Sequence, residues 1–296
     1  MVTLTIFTPT YNRAMTLPRT YRSLREQENK DFLWLIVDDG STDGTRKLVE
    51  EWKKKEREFE IQYLYQENGG MHVAHNTAYK HIKTELNMCI DSDDRLAKGA
   101  VEKILKKWGE VKEKGYAGII GLDADFDGRV MGKGFPKDQK ETTLSEYYAS
   151  GGSGDKKLIY RTKVIKQYPK YPVFAGEKYV ALAYKYRLID QDYKLAVLEE
   201  ILCEVEYQTD GSTKTMWKQY ANAPRGFAFW RNVCMKYPQS KKRIPIDAIF
   251  YVSHSIMAGE RHYIKKSERK WITTLVIPLG YCLAWYTSYR IKRQKA

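Results

Sequence analysis

Short apolar runs alternate with helical segments over about the first 120 residues of the chain. Each run is rich in leucine, β-branched or aromatic residues and ends close to a polar turn. The runs are Leu4–Phe7, Phe32–Val37, Ile61–Tyr65, Met88–Ile90 and Ala117–Leu122. Strands that alternate with helices form parallel sheets with helices on both faces. We therefore expect an α/β fold of the Rossmann-like type with a mostly parallel central sheet.

Polar clusters follow four of these predicted strands. They are Thr8–Arg13, Asp38-Asp39, Asn68-Gly69-Gly70 and Asp91–Asp94. In open α/β sheets, ligands bind beyond the carboxyl ends of the strands. Four separate segments are therefore expected to meet at one edge of the sheet and to form one binding site.

Asp91-Ser92-Asp93-Asp94 places three carboxylates within four positions, directly after an apolar strand. Such charges are costly to hold together unless a cation neutralises them. On an extended segment alternate residues face the same side, so Asp91 and Asp93 are predicted to serve one cation. Oxygen ligands favour Mg²⁺ or Mn²⁺, which complete their shells with water and phosphate. The alternative is an Asp-rich turn that caps the next helix.

A second acidic cluster, Asp38–Asp43, follows the second strand. Asp43 is expected to cap the next helix. Asp38 and Asp39 exceed what capping requires, and a carboxylate there can accept a hydrogen bond from a nucleobase. No G-x-G-x-x-G sequence follows the first strand, and no G-x-x-x-x-G-K-[ST] sequence occurs. A Rossmann dehydrogenase and a P-loop nucleotidase are therefore disfavoured.

Four segments, in their order and spacing, resemble the family 2 glycosyltransferases of the GT-A fold. They are Thr8-Pro9-Thr10-Tyr11-Asn12-Arg13, Val37-Asp38-Asp39-Gly40-Ser41-Thr42-Asp43, Asn68-Gly69-Gly70 with Ala74 and Asn76, and Asp91-Ser92-Asp93-Asp94. The resemblance covers roughly the first 100 residues, and a looser one extends to about Thr213. It implies an inverting transfer from a nucleoside diphosphate sugar, most often a UDP-sugar, to an acceptor hydroxyl.

The resemblance also implies roles for individual residues. The loop Thr8–Arg13 and Asp39 are expected to hold the nucleoside. Asp91 and Asp93 are expected to position the ribose and a Mn²⁺ or Mg²⁺ ion, which offsets charge on the departing nucleotide. The residues expected at the nucleotide sugar are Thr8, Pro9, Tyr11, Arg13, Asp38, Asp39, Asn68, Gly70, Asn76, Asp91 and Ser92, and the expected metal ligands are Asp91 and Asp93.

The attacking hydroxyl needs a general base, which family 2 enzymes usually take from an acidic residue in the second half of the chain. By resemblance, the segment Phe174–Tyr179 makes Glu177 the expected catalytic base, although Lys178 replaces the second acidic residue of the family motif. Asp190 and Asp192 are alternatives, and Glu177 could instead be a solvated residue at a helix start. By the same resemblance, Gly211-Ser212-Thr213 is expected in an acceptor-side loop.

The net charge of +14 is concentrated in the last part of the chain. Residues 216–296 contain 16 Lys and Arg and three acidic residues, so they carry +13. We expect residues 1–215 to form the catalytic domain and residues 216–296 to form a basic helical appendage. No recognisable nucleic-acid module accompanies this charge, so nucleic acid is not expected as a partner.

Trp271–Tyr289 is 19 residues long without a charged side chain, and basic residues flank both ends. A spanning helix needs about 20 predominantly apolar residues, and Pro278, Gly280 and several hydroxyl residues make this segment marginal. An apolar stripe recurs at helical spacing: Ile272, Leu275, Val276, Leu279 and Leu283. The segment is a packed helix, a helix on an anionic membrane surface, or a span. The second is favoured because tryptophan and tyrosine suit the interface and basic residues attract anionic lipids.

Membrane attachment would suit a lipid-linked saccharide acceptor, as in bacterial cell-surface polymer synthesis. The four cysteines lie far apart, and the first residues lack the charged and apolar regions of a signal peptide. We therefore expect a cytoplasmic protein, peripheral at the inner face of the cell membrane. Two rivals are a tethered, non-catalytic nucleotide-sugar binding protein and a sugar nucleotidyltransferase. The second rival needs a glycine-rich basic loop after the first strand, which Thr8–Arg13 is not.

Overall fold

The computed structural model describes residues 2–206 and 216–295, which form two compact units. The first contains residues 2–170 and 189–206, and the second contains Tyr171–Leu188 with the described residues from Met216 onward. Tyr171–Leu188, which the sequence places in the catalytic domain, thus belongs to the same unit as the C-terminal helices. The boundary expected near residue 215 and the loop Gly211-Ser212-Thr213 fall outside the described residues, so both stay predictions.

The first unit is built on one sheet of nine strands among the described residues. The strands are β1 (Leu4–Thr10), β2 (Phe32–Asp38), β3 (Glu60–Tyr65), β4 (Leu86–Cys89), β5 (Arg95–Leu96), β6 (Gly118–Ala124), β7 (Glu141–Thr142), β8 (Lys156–Arg161) and β9 (Leu195–Glu204). Their spatial order is β3-β2-β1-β4-β8-β6-β9-β5, and β7 pairs with β9.

Strands β3, β2, β1 and β4 run parallel and form the half of the sheet that the apolar runs predict. Leu4 of β1 pairs with Phe32 of β2 on one side and with Leu86 of β4 on the other. Every residue of β1 is buried, as expected for a central strand covered on both faces. The α/β fold with a mostly parallel sheet is confirmed.

Six helices surround this sheet in the first unit. They are α1 (Leu17–Arg25), α2 (Thr45–Lys55), α3 (Met71–His81), α4 (Ala100–Val111), α5 (Leu144–Ala149) and α6 (Thr162–Gln167). Pro18 lies in the first turn of α1, where its missing N–H costs little. Leu24, Val49 and Ile104 bring α1, α2 and α4 into one buried core with Trp34 of β2.

Strand β8 is the main element that the sequence does not predict. It lies between β4 and β6 and runs antiparallel to both. It begins with Lys156 and Lys157, and both side chains are buried. Because lysine is seldom buried, the pair is typical of a surface segment, and the strand is hidden from a hydropathy pattern.

The second unit is helical in its described residues, as the sequence predicts beyond residue 216. Its helices are α7 (Ala183–Ile189, which extends one residue into the first unit), α8 (Met216–Asn222), α9 (Pro224–Lys236), α10 (Ile244–Met257), α11 (Tyr263–Lys266), α12 (Lys270–Leu275) and α13 (Ile277–Lys295). The charge-free segment thus forms two helices rather than one, with Pro278 in the first turn of α13. Over the described ranges, no helix combines the length and hydropathy that a membrane span requires.

Candidate functional site

The loops after β1 and β2 are joined by hydrogen bonds at the carboxyl edge of the sheet. Asn12, whose φ is +54°, donates its backbone N–H to Ser41 Oγ at 2.9 Å. Its side-chain Oδ1 accepts a hydrogen bond from the Thr42 N–H at 2.8 Å. Asp43 Oδ2 accepts another from the Ala14 N–H at 3.1 Å. The two motifs, which lie about 30 residues apart in the sequence, therefore form one local structure.

Asp39 joins the loop after β2 to the loop after β3. Its Oδ1 accepts hydrogen bonds from Gln66 Nε2 at 2.7 Å and from the Gly69 N–H at 2.9 Å, and its Oδ2 accepts one from the Gly70 N–H at 2.8 Å. Gly70 has a φ of +94°, which a side chain would strain. A carboxylate offers about four acceptor sites, and these hydrogen bonds use three of them. The nucleoside contact expected of Asp39 stays a prediction.

Asp38 is also engaged within the fold. Its Oδ1 accepts a hydrogen bond from the Ser41 N–H at 2.7 Å, and its Oδ2 accepts one from the Tyr63 hydroxyl at 2.6 Å. Burial and the neighbouring carboxylate both raise the pKa of Tyr63. Asp38 therefore shapes the turn after β2, and the ligand contact expected of it stays a prediction.

The residues expected at the nucleotide sugar after β1 differ in exposure. Thr8 and Pro9 are buried in β1, and Thr8 Oγ1 accepts a hydrogen bond from Trp34 Nε1 at 2.9 Å. Tyr11 and Arg13 lie in the following loop with exposed side chains. Tyr11 and Arg13 are therefore accessible to a ligand, whereas Thr8 supports the strand beneath the loop.

Asn68 and Asn76 lie on the segment that follows β3. A Cβ built on Gly40, whose φ is +86°, would be only 2.9 Å from the Asn68 backbone nitrogen. The loops after β2 and β3 thus approach closely only because position 40 is glycine. Asn76 is half-buried on α3.

Asp91–Asp94 forms a turn, not the extended segment that the sequence predicts. The Asp94 N–H donates to the Asp91 carbonyl at 3.1 Å, and Thr20 Oγ1 donates to the Asp94 carbonyl at 2.8 Å. Asp91 and Asp93 are half-buried, whereas Ser92 and Asp94 are buried. The strand ends at Cys89, so the strand-alternation argument for a shared face is wrong. The metal role of Asp91 and Asp93 stays a prediction.

Lys157 of β8 is a buried cation next to this turn. Its Nζ lies 3.8 Å from Asp123 Oδ1 and donates to the Cys89 carbonyl at 3.5 Å. Burial acts to lower the pKa of Lys157. The charges of Asp123, Asp94 and Asp91 nevertheless raise this pKa well above its usual value. One lysine therefore faces three carboxylates.

The carboxyl groups around Lys157 hold their protons more tightly than exposed aspartates do. Burial raises the pKa of Asp94 to about 8 and that of Asp123 to about 6, while Lys157 acts in the opposite direction. Burial also raises the pKa of Asp91. The positive charge of Lys157 acts to lower this pKa, and the negative charge of Asp93 acts to raise it. A bound cation would favour the ionised forms of these carboxyl groups.

The turn is compatible with a divalent cation whose remaining ligands come from a substrate and from water. Within residues 2–206 and 216–295, no group of three or more His, Cys, Asp or Glu could hold a metal ion by itself. Asp91 and Asp93 offer two half-buried carboxylates. Mg²⁺ is commonly bound by one or two carboxylates together with substrate phosphates and water, so two protein ligands are compatible with the expected ion.

Glu177 lies in the second unit and binds the N-terminus of α9. Its Oε1 accepts hydrogen bonds from the Arg225 N–H at 3.1 Å and from Arg225 Nε at 2.9 Å, and its Oε2 accepts one from the Gly226 N–H at 2.8 Å. The residue is 8% exposed, so it is not a solvated glutamate. Its carboxylate pairs with helix N–H groups that would otherwise lack partners.

The two alternative bases are hydrogen-bonded in the first unit. Asp190 Oδ2 accepts from the Ser145 N–H at 2.8 Å and from Ser145 Oγ at 2.6 Å, at the start of α5. Asp192 Oδ2 accepts from the Tyr168 hydroxyl at 2.7 Å. All three candidate bases thus have a structural role, and the identity of the base stays a prediction.

His72 is a buried residue of this region that belongs to none of the motifs named from the sequence. It lies in the first turn of α3 and is 1% exposed, and neither ring nitrogen has a hydrogen-bond partner among the described residues. Burial lowers its pKa, against the charge of Asp39. In the sequence His72 is notable only for its spacing from His75, whose Nε2 lies 3.7 Å from Cys89 Sγ.

The glycosyl transferase family 2 profile matches residues 5–168, which contain all four strand-end motifs. The chain belongs to glycosyl transferase family 2. The match includes β2 to β8 and stops before Glu177, so the family assignment rests on the first unit.

Curated relatives of this family 2 chain include bacterial glycosyltransferases. The putative teichuronic acid biosynthesis glycosyltransferase TuaG of Bacillus subtilis is 34% identical over 103 residues, which are 35% of this chain and 40% of that protein. The GalNAc(5)-diNAcBac-PP-undecaprenol beta-1,3-glucosyltransferase of Campylobacter jejuni is 25% identical over 173 residues, 56% of this chain and 54% of that protein. The chain therefore matches only about half of these relatives or less.

Solved structures share the fold over nearly the whole chain. S. aureus TarS 1-349 in complex with UDP-GlcNAc has a TM-score of 0.62 and 17% identity, covering 98% of this chain and 92% of that one. The mannosyltransferase PcManGT of Pyrobaculum calidifontis, in complex with GDP-Man and Mn²⁺, has a TM-score of 0.58 and 16% identity, covering 97% and 82%. The GT-A fold expected from the motifs is confirmed.

Proposed function

We propose that this family 2 chain is an inverting glycosyltransferase that moves a sugar from a UDP-sugar to an acceptor hydroxyl. The observation that carries the proposal is the hydrogen-bonded group of strand-end loops. Asn12 binds the loop after β2, and Asp39 binds the loop after β3. The acidic turn Asp91–Asp94 follows β4. Strand β4 pairs in parallel with β1, so the turn lies at the same edge of the sheet as these loops.

Support for a UDP-sugar donor comes from the accessible groups around these loops. Tyr11 and Arg13 are exposed, which suits stacking on a base and pairing with a phosphate. Asp39 retains one acceptor site after its three protein hydrogen bonds. TarS, which shares the fold, has been solved with UDP-GlcNAc.

A Mn²⁺ or Mg²⁺ ion held by Asp91 and Asp93 would supply Lewis acidity to the donor diphosphate. PcManGT, which also shares the fold, has been solved with Mn²⁺. Asp91 and Asp93 are half-buried, and the carboxyl groups of Asp94 and Asp123 are buried near them. These residues would therefore orient the diphosphate so that the anomeric carbon faces the acceptor.

In the proposed reaction, the acceptor oxygen forms a bond to the anomeric carbon while the carbon–oxygen bond to the diphosphate breaks on the opposite face. The nucleoside diphosphate leaves, and a carboxylate accepts the hydroxyl proton. Glu177 is the proposed base, with Asp190 and Asp192 as alternatives. Glu177 would have to exchange hydrogen bonds with Arg225 and Gly226 for the incoming proton.

A lipid-linked saccharide in cell-surface polysaccharide synthesis is the proposed acceptor. The Campylobacter relative is named for an undecaprenol-linked saccharide, and the Bacillus relative for teichuronic acid biosynthesis. We place the protein in the cytoplasm, peripheral at the inner face of the cell membrane and attached through its basic C-terminal region. Residues 216–296 carry +13, which favours an anionic surface.

The rival is a tethered protein that binds nucleotide sugars without catalysis. Both functions predict donor binding, but only the enzyme releases UDP when an acceptor is present. Turnover therefore separates them, whereas binding alone does not.

Thermal shift with UDP and UDP-sugars, with and without Mn²⁺, tests the donor site. A ligand that binds the folded state raises the melting temperature in proportion to ln(1 + [L]/Kd). We expect UDP with Mn²⁺ to stabilise the protein more than UDP alone. Asp91→Asn and Asp93→Asn should each weaken Mn²⁺-dependent binding at least about tenfold.

Asp127→Asn is the matched control, because Asp127 is exposed in the turn after β6. It should bind UDP and Mn²⁺ like the unmodified protein. If neither UDP, GDP nor any UDP-sugar stabilises the protein with Mn²⁺ or Mg²⁺, the proposed function is wrong.

A further inference from the structure

Helices α12 and α13 pack inward with small side chains. The buried positions recur at intervals of three and four residues: Thr273, Val276, Gly280, Ala284 and Thr287. Gly280 approaches α10 so closely that a Cβ would lie 2.3 Å from Val252 Cγ1. Small residues therefore let the backbone of α13 approach α10.

Although Ile272 packs against the buried cluster around Val252, several large apolar residues of these helices are exposed and form what we call the outward face. It consists of Trp271, Leu275, Leu279, Cys282, Trp285 and Tyr289, all exposed. Trp271 is 87% exposed, Leu275 79% and Trp285 69%. Trp285 and Tyr289 are one turn apart, and their rings stack with centroids 5.8 Å apart.

This arrangement reverses the usual pattern of a surface helix, in which large apolar residues face the core. Two of the five residues of the apolar stripe predicted from the sequence, Leu275 and Leu279, point to solvent rather than into the second unit. Soluble monomers rarely expose contiguous apolar patches of more than a few hundred Å². The outward face is therefore expected to have a partner.

Exposed basic residues lie at both ends of the outward face: Arg269, Lys270, Arg290 and Arg293. Residues 261–296 contain nine Lys and Arg but one acidic residue, Glu268. A second copy of the chain would bring two such positive surfaces together. An anionic lipid surface complements the charge, and its interface region suits tryptophan and tyrosine.

We propose that the outward face inserts into the interface of an anionic lipid bilayer, with α12 and α13 lying along the membrane surface. The inference rests on the membrane attachment proposed above, and it names the side chains and the lipid charge that mediate the contact. The aromatic and leucine side chains would be buried among headgroups and upper acyl chains. The basic residues at each end would pair with lipid phosphates.

Vesicle binding by the full chain tests this proposal. We expect it to sediment with vesicles of 30% phosphatidylglycerol in phosphatidylcholine much more than with phosphatidylcholine alone. Raising NaCl from 50 to 500 mM should weaken binding at least about tenfold. The triple variant Trp271→Ser/Leu275→Ser/Trp285→Ser should bind about 100-fold more weakly.

The control variant is Val173→Ser/Ile246→Ser, which removes exposed apolar side chains of the same unit outside the outward face. It should bind vesicles like the unmodified protein. Circular dichroism and UDP-dependent thermal shift on each variant would show that folding and donor binding are retained. If the triple variant loses vesicle binding but still binds UDP, the result therefore concerns the outward face alone.

Cys282 provides a second measurement, since it is exposed, whereas Cys89 is half-buried and Cys203 and Cys234 are buried. Cys89→Ser in all samples would restrict labelling to Cys282. An environment-sensitive fluorophore on Cys282 should shift to the blue when phosphatidylglycerol vesicles are added. A blue shift without lipid, together with a dimer in sedimentation velocity, would instead assign the face to a second copy and overturn the proposal. Equal vesicle binding by the triple variant and the unmodified protein would overturn it as well.

Discussion

Lys157 Nζ lies 3.8 Å from Asp123 Oδ1, and both side chains are buried in the first unit. The distance is that of an ion pair without a short hydrogen bond, and Asp123 Oδ1 has no hydrogen-bond partner among the described residues. The charges of Asp94 and Asp91 in the acidic turn, like that of Asp123, act to raise the pKa of Lys157. Its charge therefore stabilises the turn when no metal ion is present.

Lys157→Met is expected to destabilise the metal-free protein by about 3–5 kcal/mol, because it leaves uncompensated buried carboxylates. The additional change Asp123→Asn should restore part of that loss, since it removes one of the carboxylates. Urea unfolding in EDTA, followed by tryptophan fluorescence, measures both variants.

Lys163→Met on α6 is the control, since Lys163 is exposed. It should change the free energy of unfolding by less than about 0.5 kcal/mol. If Lys157→Met is as stable as this control, the lysine does not neutralise the acidic turn.

Glu177→Gln is expected to lower turnover at least about 100-fold while leaving the affinity for UDP and Mn²⁺ nearly unchanged. The reason is that an amide cannot accept the acceptor proton, although its oxygen can still accept a hydrogen bond at the start of α9. Initial rates of UDP release and titration calorimetry measure the two quantities separately.

Glu110→Gln on α4 is the matched control, because Glu110 is exposed. Its turnover should equal that of the unmodified protein. A lower melting temperature with normal turnover in Glu177→Gln would limit Glu177 to binding the helix N-terminus.

Gly226→Ala is expected to destabilise the second unit by about 1–3 kcal/mol. A Cβ at this position would lie 2.0 Å from the Tyr179 carbonyl oxygen. Gly109→Ala is a fitting comparison, because a Cβ on this exposed helical glycine meets no atom within 4 Å. It should stabilise the protein by about 0.5–1 kcal/mol. Urea unfolding that shows the same sign for both variants would contradict the close approach.

His254→Phe is expected to make the protein less sensitive to acid. Burial, followed by the charge of Arg231, lowers the pKa of His254 to about 3. Between its unfolded value of about 6.5 and about 3, the unfolded state binds the proton that the folded state excludes, so stability falls as the pH falls. Phenylalanine would keep the ring among Tyr220, Phe227 and Phe250.

Melting temperatures at pH 7.5, 6, 5 and 4.5 give the slope for this comparison. His262→Phe is the control, because His262 is exposed, and it should keep the slope of the unmodified protein. The prediction fails if His254→Phe loses stability with acid as steeply as this control.

The parallel half of the sheet could be predicted because apolar runs and strand-end polar residues are local features of the sequence. The loops after β1, β2 and β3 meet where the strand order requires. Apart from Asp91 and Ser92 of the acidic turn, the predicted nucleotide-binding residues lie on these strands, on these loops or on α3. Strand β8 could not be predicted in this way, since Lys157 is buried beside Asp123 of β6, a contact that the sequence pattern does not reveal.

The acidic turn and the C-terminal helices show two further limits of pattern reasoning. Asp91 and Asp93 follow a strand that ends at Cys89, and a local pattern does not reveal where hydrogen bonding stops. The apolar stripe predicted from helical spacing is divided in the structure, because Val276 is buried whereas Leu275 and Leu279 are exposed. Helical spacing cannot tell which side packs, because Gly280 and other small residues permit the closer approach.

The hydrogen bonds of Asn12 and Asp39 imply that the loops around the proposed donor site are ordered before a ligand arrives. Ordering a loop on binding costs conformational entropy, which weakens affinity. Because these loops are already ordered in the folded protein, nucleotides should associate in a single fast phase without a slow rearrangement. Differences in affinity among nucleotide sugars would then reflect their direct contacts, and removal of Asp39 would make the same association slower and multiphasic.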